Sequence, residues 1–477
     1  MSVEKQAISG LKWAGIAKLA GQLVSWVTTL VVLRLLAPSD YGLMAIVTAL
    51  IALLSNIAEL GLGASIVHVA QLERSELERV TGAIVVINLL MGALVAGCAP
   101  LIAGFFGNPQ LTPLVQVASL QFVCSALSTV PQSLAYRDMD FRWLARVELI
   151  AVLATGVVTL SLAYLGYGVW ALLLGNLFSA AIRTALLASR EWVRPRFQSA
   201  GLMRHLSFGG TVTASRLVWQ VVYQSDLFVA GRVLPAAAVG LYSVSLHVAT
   251  LPMQRIMGVI NQVAFPAAAR LQAEPERLRT RLLEATRVLA LFGVPVLWGM
   301  SSVSREFVRT VMGPHWDEAV LPLKLICLVV PLRMLTAVYA TAMTAIGLAI
   351  VDLRNAVTNA IVLPLSFYVG ARYGVDGLAA AWLVAIPIVF GINFPKIAHA
   401  MHVSLMDIAK VAWAPVLAGI GMYAAVYGFG LLAPGLSPWA ALIAEILVGA
   451  VAYTVLVLTI DRSMIPEMRR VIAAFRG

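Results

Sequence analysis

Six charged side chains interrupt long apolar runs of the chain: Lys18, Arg216, Arg255 and Arg333, and the acids Glu59 and Asp226. Each falls inside a run of apolar residues long enough to cross a lipid bilayer. A charge near the centre of a bilayer costs roughly 2.5–3.5 kcal/mol on insertion scales, so such groups face a cavity or one another. A guanidinium fork matches the oxygens of a phosphate, and a lysine adds a point charge. The four cations are therefore candidates for an anion site that takes a phosphorylated head group. A structural alternative stands beside this reading: Lys18 snorkels to the interface and Arg216 pairs with an internal acid. Glu59 and Asp226 fit a coupling proton or a sodium ion, but the neutralisation of an arginine is the preferred reading. Arg183, Glu148, Lys324 and Glu445 lie nearer helix ends and read as interfacial, and His247 reads as a hydrogen-bonded core residue.

No constellation for catalysis accompanies these charges. The chain has no phosphate-binding Gly-rich loop ending in Gly-Lys-Ser/Thr, no His/Glu metal motif and no Gly-x-Ser-x-Gly elbow. Cys98, Cys124 and Cys327 are isolated in apolar runs and read as packing residues. Neither a cofactor nor a metal is expected, and transport, not catalysis, is the default reading.

The elements that must position the charges follow from composition. Of 477 residues, 60% are hydrophobic and only 12% charged, roughly half the charge of a soluble protein. Spans of about 20 apolar residues recur near 11–35, 43–68, 81–105, 111–135, 146–165, 168–188, 208–233, 240–265, 285–309, 320–346, 354–372, 377–396, 410–432 and 438–460. The fold class is an all-α polytopic membrane protein of about fourteen transmembrane helices. Pro131, Pro252, Pro266, Pro295, Pro331, Pro364, Pro387, Pro395 and Pro415 fall inside or at the ends of these spans, where they permit kinks. The connections are turns, such as Pro-Ser-Asp-Tyr-Gly at 38–42, and leave no room for an extracytoplasmic domain.

Placing the N-terminus in the cytoplasm assigns about 23 Lys and Arg to cytoplasmic connections and about five to the other side. Both termini are then cytoplasmic. The net charge of +11 needs no nucleic-acid partner.

The first twelve helices repeat. The same interval separates Arg34 from Arg232, Gly42 from Gly240 and Lys18 from Arg216. A slightly longer one separates Gly107 from Gly313 and Gly168 from Gly374, as a short insertion within 269–287 would produce. Six helices per repeat give parallel repeats, with a substrate path expected between them. The domains expected are an N-terminal six-helix lobe (1–190), a C-terminal six-helix lobe (191–400) and two further helices with a cytoplasmic tail (401–477). Lys18 and Arg216 each lie roughly 12 Å in from the cytoplasmic end, and Arg255 reaches a similar depth.

The run from Lys12-Trp13-Ala14 through Arg34-Leu-Leu-Ala-Pro-Ser-Asp-Tyr-Gly42-Leu43, followed by Glu59-Leu-Gly-Leu-Gly63, resembles the N-terminus of Wzx-type polysaccharide flippases. These belong to the polysaccharide transporter branch of the multidrug/oligosaccharidyl-lipid/polysaccharide (MOP) exporter superfamily. The helix count, the repeat and the two extra helices are similar to theirs across essentially the whole chain. The resemblance implies a flippase of the bacterial inner membrane, working by alternating access. It would carry an undecaprenyl-diphosphate-linked oligosaccharide from the cytoplasmic to the periplasmic leaflet for exopolysaccharide or surface polysaccharide assembly, including lipopolysaccharide. Membrane lipids are implied partners, as are a polysaccharide polymerase and export proteins, with coupling to a proton or sodium gradient. The alternatives are a lipid II flippase or multidrug exporter of the same superfamily, a membrane-embedded polymerase or ligase, and a non-transporting scaffold.

Overall fold

The computed structural model describes residues 20–68, 73–198, 202–272, 274–433 and 435–461. Among the described residues the chain is helical, with turns between helices and no β-strand. Contacts divide it into two compact units, Met1–Gly240 and Leu241–Gly477.

The first unit contains α1 (Ala20–Leu35), α2 (Pro38–Glu59), α3 (Leu62–His68), α4 (Arg74–Phe106), α5 (Leu111–Ala118), α6 (Leu120–Arg137), α7 (Phe141–Tyr164), α8 (Val169–Arg190) and α9 (Leu202–Val233). The second contains nearly all of α10 (Ala236–Arg270), then α11 (Pro275–Ser302), α12 (Ser304–Phe307), α13 (Val320–Ala345), α14 (Ala349–Ala371), α15 (Gly374–Met401), α16 (Leu405–Leu432) and α17 (Pro438–Ile460). Among the described residues eleven spans are long and apolar enough to cross a membrane, and α1 is a shorter apolar helix over its described part. Many large apolar side chains point outward, Leu90, Leu101, Val157 and Leu432 among them. Water would penalise such a surface, whereas hydrocarbon does not. This is a polytopic membrane protein.

Over the described residues each apolar window of the sequence falls on helix, with four local differences. Residues 38–42 are the first turn of α2 and not a free turn. The window 43–68 is broken after Glu59, where Leu60 and Gly61 adopt φ of 43° and 63°. The window 111–135 is interrupted at Ser119 between α5 and α6. The window 285–309 starts earlier, at Pro275, so the charged stretch 275–287 is the opening of a spanning helix; it ends in α12 and a π-helical turn at Val308–Met312.

In the first unit α8 packs on α6 and α7, and α4 on α6, while α9 lies on α2, α3 and α4. A cluster of Val32, Leu36, Ala163 and Ala171 joins α1, α7 and α8. In the second unit α11 and α15 flank α13, and the last two helices pack against α11. There Leu291, Ala414, Ala418, Met422, Tyr453 and Val457 form one buried cluster, and the Tyr453 hydroxyl donates to the Leu291 carbonyl at 3.0 Å. The helices beyond the repeat are thus built into the second unit.

The repeat is visible in the backbone. Gly107 and Gly313 both cap a helix end with positive φ (67° and 103°), and Gly168 and Gly374 both do so at a helix start (57° and 82°). Only glycine holds such conformations without a Cβ penalty.

Candidate functional site

Arg333 sits near the middle of α13, half-buried, in a span otherwise rich in buried apolar residues. Its guanidinium carbon lies over the Trp382 ring of α15, 4.5 Å from the centroid. The ring is fixed in turn. Trp382 Nε1 donates to the Tyr242 hydroxyl at 2.7 Å, and Phe367 packs on it with ring centroids 4.8 Å apart. Among the described residues Arg333 has no carboxylate partner. An aromatic face stabilises a cation by about 0.5–2 kcal/mol and leaves the guanidinium edge, with its N–H donors, unengaged. That arrangement can receive an anion; a salt-bridged arginine cannot without first losing its partner.

Arg232 over Phe105 and Arg372 over Tyr368 share the aromatic setting near helix ends, whereas several other described cations are met by carboxylates. Arg183 meets Glu148 at 3.0 Å, Arg190 meets Asp140 at 2.5 Å, Arg279 meets Asp407 at 3.0 Å and Arg287 meets Asp461 at 2.9 Å. Arg137 donates to the Ile66 carbonyl at 3.0 Å and so ties α6 to α3. Lys324, also on α13, shares the aromatic arrangement, with its ammonium 5.6 Å from the Tyr423 ring centroid.

Three expected cations receive no structural test. Lys18 lies outside the described residues. Arg216 and Arg255 lie on α9 and α10, with side chains outside the described set. Of the four, the structure describes the setting of Arg333 alone.

Glu59 occupies the last position of α2, immediately before the break. The left-handed conformation at Leu60 costs an L-residue roughly 1–2 kcal/mol, so neighbouring structure must hold it. The break lets the chain re-enter helix at Leu62 and brings Gly63 against α6. A point one Cβ bond from Gly63 lies 3.3 Å from Glu59 Oε1, 3.1 Å from Ser133 Oγ and 3.3 Å from the Thr129 methyl. A carboxylate, a hydroxyl and an interrupted backbone thus meet at one place. Glu59 has no hydrogen bond or ion pair among the described residues, and interrupted helices with freed carbonyls are where membrane transporters hold small cations. Asp226 is fully enclosed on α9, at 1% exposure; its Oδ1 accepts from the Leu227 N–H at 2.8 Å. It packs within the first unit, away from solvent.

The 34–43 run has a structural role that spacing alone did not disclose. Asp40 Oδ2 accepts from the Ala37 N–H and Oδ1 from the Val169 N–H, each at 3.0 Å. One carboxylate therefore caps the starts of both α2 and α8, where unpaired N–H groups and the helix dipole favour a negative charge. Gly42 and Gly240 pack reciprocally. A Cβ on Gly42 would strike the Ala236 carbonyl, and one on Gly240 the Pro38 carbonyl. These pairs are themselves repeat equivalents.

Trp382, Tyr242 and Phe367 went unnoticed in the sequence because their meeting depends on tertiary packing. An aromatic triad whose Tyr242 lies more than a hundred residues from Phe367 and Trp382 leaves no local signal. Pro331, two residues before Arg333 inside α13, is the nearest local hint, since it frees backbone groups at that depth.

With this geometry in place, three comparisons bear on the chain. Residues 31–321 match a family described as polysaccharide biosynthesis protein. The lipopolysaccharide biosynthesis protein WzxC of Escherichia coli K12 is 29% identical over 337 residues, 70% of this chain and 68% of that protein. The succinoglycan biosynthesis transport protein ExoT of Rhizobium meliloti 1021 is 25% identical over 473 residues, covering 97% of this chain and 95% of its own length. Among solved structures, the lipid II flippase MurJ in an inward closed conformation superposes with a TM-score of 0.74 at 14% identity, over 95% of this chain and 99% of that one. That likeness concerns the fold.

Proposed function

The chain belongs to the polysaccharide biosynthesis protein family, and from that premise we propose that it is a flippase for an undecaprenyl-diphosphate-linked oligosaccharide. It carries this lipid from the cytoplasmic to the periplasmic leaflet of a bacterial inner membrane by alternating access. The names of its relatives support the reading, one being a transport protein for succinoglycan biosynthesis along nearly the whole chain. The observation that carries it here is Arg333. A cation held within the span by an aromatic face and not by a carboxylate suits a diphosphate, whose polyprenyl tail can remain in lipid.

Lys18, Arg216 and Arg255 complete the anion-binding set in this proposal, and Glu59, with Asp226 as the second candidate, supplies coupling to a proton or sodium gradient. The moving parts are the two six-helix lobes, 1–190 and 191–400. Both termini face the cytoplasm, as the asymmetry of Lys and Arg favours. A polymerase and export proteins act on the delivered oligosaccharide.

Deletion of the gene tests this directly. In a strain without a second flippase, surface polymer is lost and the lipid-linked oligosaccharide accumulates at the cytoplasmic face. Normal polymer export in that strain contradicts the proposal. Reporter fusions at the two termini test the topology; an extracytoplasmic signal from either one refutes it.

A further inference from the structure

A second acidic site lies outside the repeat. Glu445 is on α17, about 10 Å in from the start of that helix, and is only 5% exposed. Leu442, three residues earlier on α17, packs with Val303 and Val426 in an apolar cluster that also takes in Phe307 and Val311. Oε1 lies against Gly430 of α16, 3.4 Å from where a Cβ would stand. Oε2 is buried and receives no hydrogen bond among the described residues. α12 packs against α17 here, with Val303 and Phe307 on either side of Glu306 in the same apolar cluster as Leu442, and the Glu306 carboxyl is the charged group that acts on that of Glu445.

Two ionised carboxylates offer only acceptors to each other. Like charges in an apolar setting repel, and a buried acceptor without a donor is costly. Both problems vanish if one oxygen carries a proton. The pair is then an O–H donor facing a carboxylate, with one negative charge shared between two residues.

The surroundings give no other remedy. On α11 the residues from Val288 onward carry no charge, and neither do those of α16 from Val416 onward nor the rest of α17. Arg305 is exposed, and Arg309 is engaged by Asp317 at 3.2 Å. Lys324 rests on Tyr423. No third His, Cys, Asp or Glu joins the pair as a metal site would need, among the described residues.

We propose that Glu306 and Glu445 form a proton-binding site, holding one proton between them at the junction of α12 and α17. Binding takes the pair from two negative charges to one, the proton coming from water at the Glu306 side, which is the less buried of the two. The site joins the π-helical turn after α12 to a helix beyond the twelve-helix repeat. It stands whatever the protein carries.

The test is infrared spectroscopy of the purified full-length chain in lipid nanodiscs across a pH series. The wild type shows a protonated-carboxyl C=O band that titrates away on alkalinisation. Glu445→Gln removes it. Glu306→Gln removes it too, because the amide N–H now donates to an ionised Glu445. Asp226→Asn leaves it in place. Glu306→Gln alters a half-exposed position and so carries the test even where Glu445→Gln lowers yield. A titrating band unchanged in both Gln variants overturns the proposal. So does loss of the wild-type band on adding Na⁺ at constant pH, which assigns the site to a metal cation.

Discussion

The first-repeat segment α2–α3 and its second-repeat counterpart α10 begin alike and end differently. Both carry a glycine five residues into the helix, Gly42 or Gly240, that lets a backbone carbonyl approach closely. Beyond that point α2 stops at Glu59 and the chain turns through left-handed Leu60 and Gly61, whereas α10 runs unbroken from Ala236 to Arg270. The equivalent of Glu59 is Met257, a buried apolar residue. The reverse holds for the cation, since the first-repeat equivalent of Arg333 is Leu127. Duplicated geometry is retained where it closes helices together, and the chemistry is divided, with a carboxylate at a broken helix in one repeat and an aromatic-held arginine in the other.

The largest effect expected of any substitution is at the shared glycines. Gly42→Val or Gly240→Val forces a side chain into a carbonyl that cannot move without its helix, and overpacking of this kind costs about 1–3 kcal/mol or more. Both variants show lowered abundance and a lowered melting temperature in detergent. Gly97→Val, with open space around it, melts as the wild type does. Equal tolerance at all three positions breaks the claim that the matched pair is a structural device.

Asp40→Ala removes two caps at once. Each cap contributes about 1 kcal/mol, so a loss of about 2 kcal/mol is expected in chemical denaturation. Asp40→Asn, which keeps an acceptor, recovers part of it. A loss confined to one cap's worth, with α8 unaffected in hydrogen exchange, rules out the double role.

Opposite signs are expected at the break and in its unbroken counterpart. Gly61→Ala adds a Cβ at positive φ and destabilises by about 1 kcal/mol. Gly258→Ala, in the interior of α10 with nothing within 4 Å, stabilises by about 0.5–1 kcal/mol. Thermal melts of the two variants decide this. The same sign in both removes the contrast between the repeats.

Glu59→Gln has the smallest structural consequence, since the amide fits the same space. Its expected phenotype is functional: transport at normal protein abundance that no longer responds to collapse of the ion gradient. Transport that still follows the gradient assigns coupling elsewhere.

Much of this molecule was legible because a bilayer imposes a simple rule on sequence. Spans near 20 apolar residues must be helices, and over the described residues every such window here falls on one. Hydropathy reports depth and not direction, however. It assigned Glu445 to the interface because the residue lies near the start of α17, while the fold turns it inward against α16 and α12. Breaks are equally hidden: Leu-Gly-Leu-Gly at 60–63 is as apolar as the helices around it, so only the backbone reveals that α2 ends there. Arg333 was recognisable as a buried cation, but its support was not, because Tyr242, Phe367 and Trp382 arrive from three separate helices. Asp40 was noticed as part of a recurring run and assigned to a turn, since a capping role on Val169 depends on a contact across more than a hundred residues.

One measurement bears most directly on the flippase assignment. In a strain lacking the chromosomal gene, Arg333→Ala and the wild type are produced at equal abundance, and the leaflet distribution of the lipid-linked oligosaccharide is determined by its access to an externally added glycosidase. With the wild type the oligosaccharide reaches the periplasmic face. With Arg333→Ala the expected transfer falls by tenfold or more, consistent with losing a charge-assisted contact of roughly 1.5–3 kcal/mol, and Arg333→Lys recovers only part of it. Equal transfer by the wild type, Arg333→Ala and the strain without the protein contradicts the assignment.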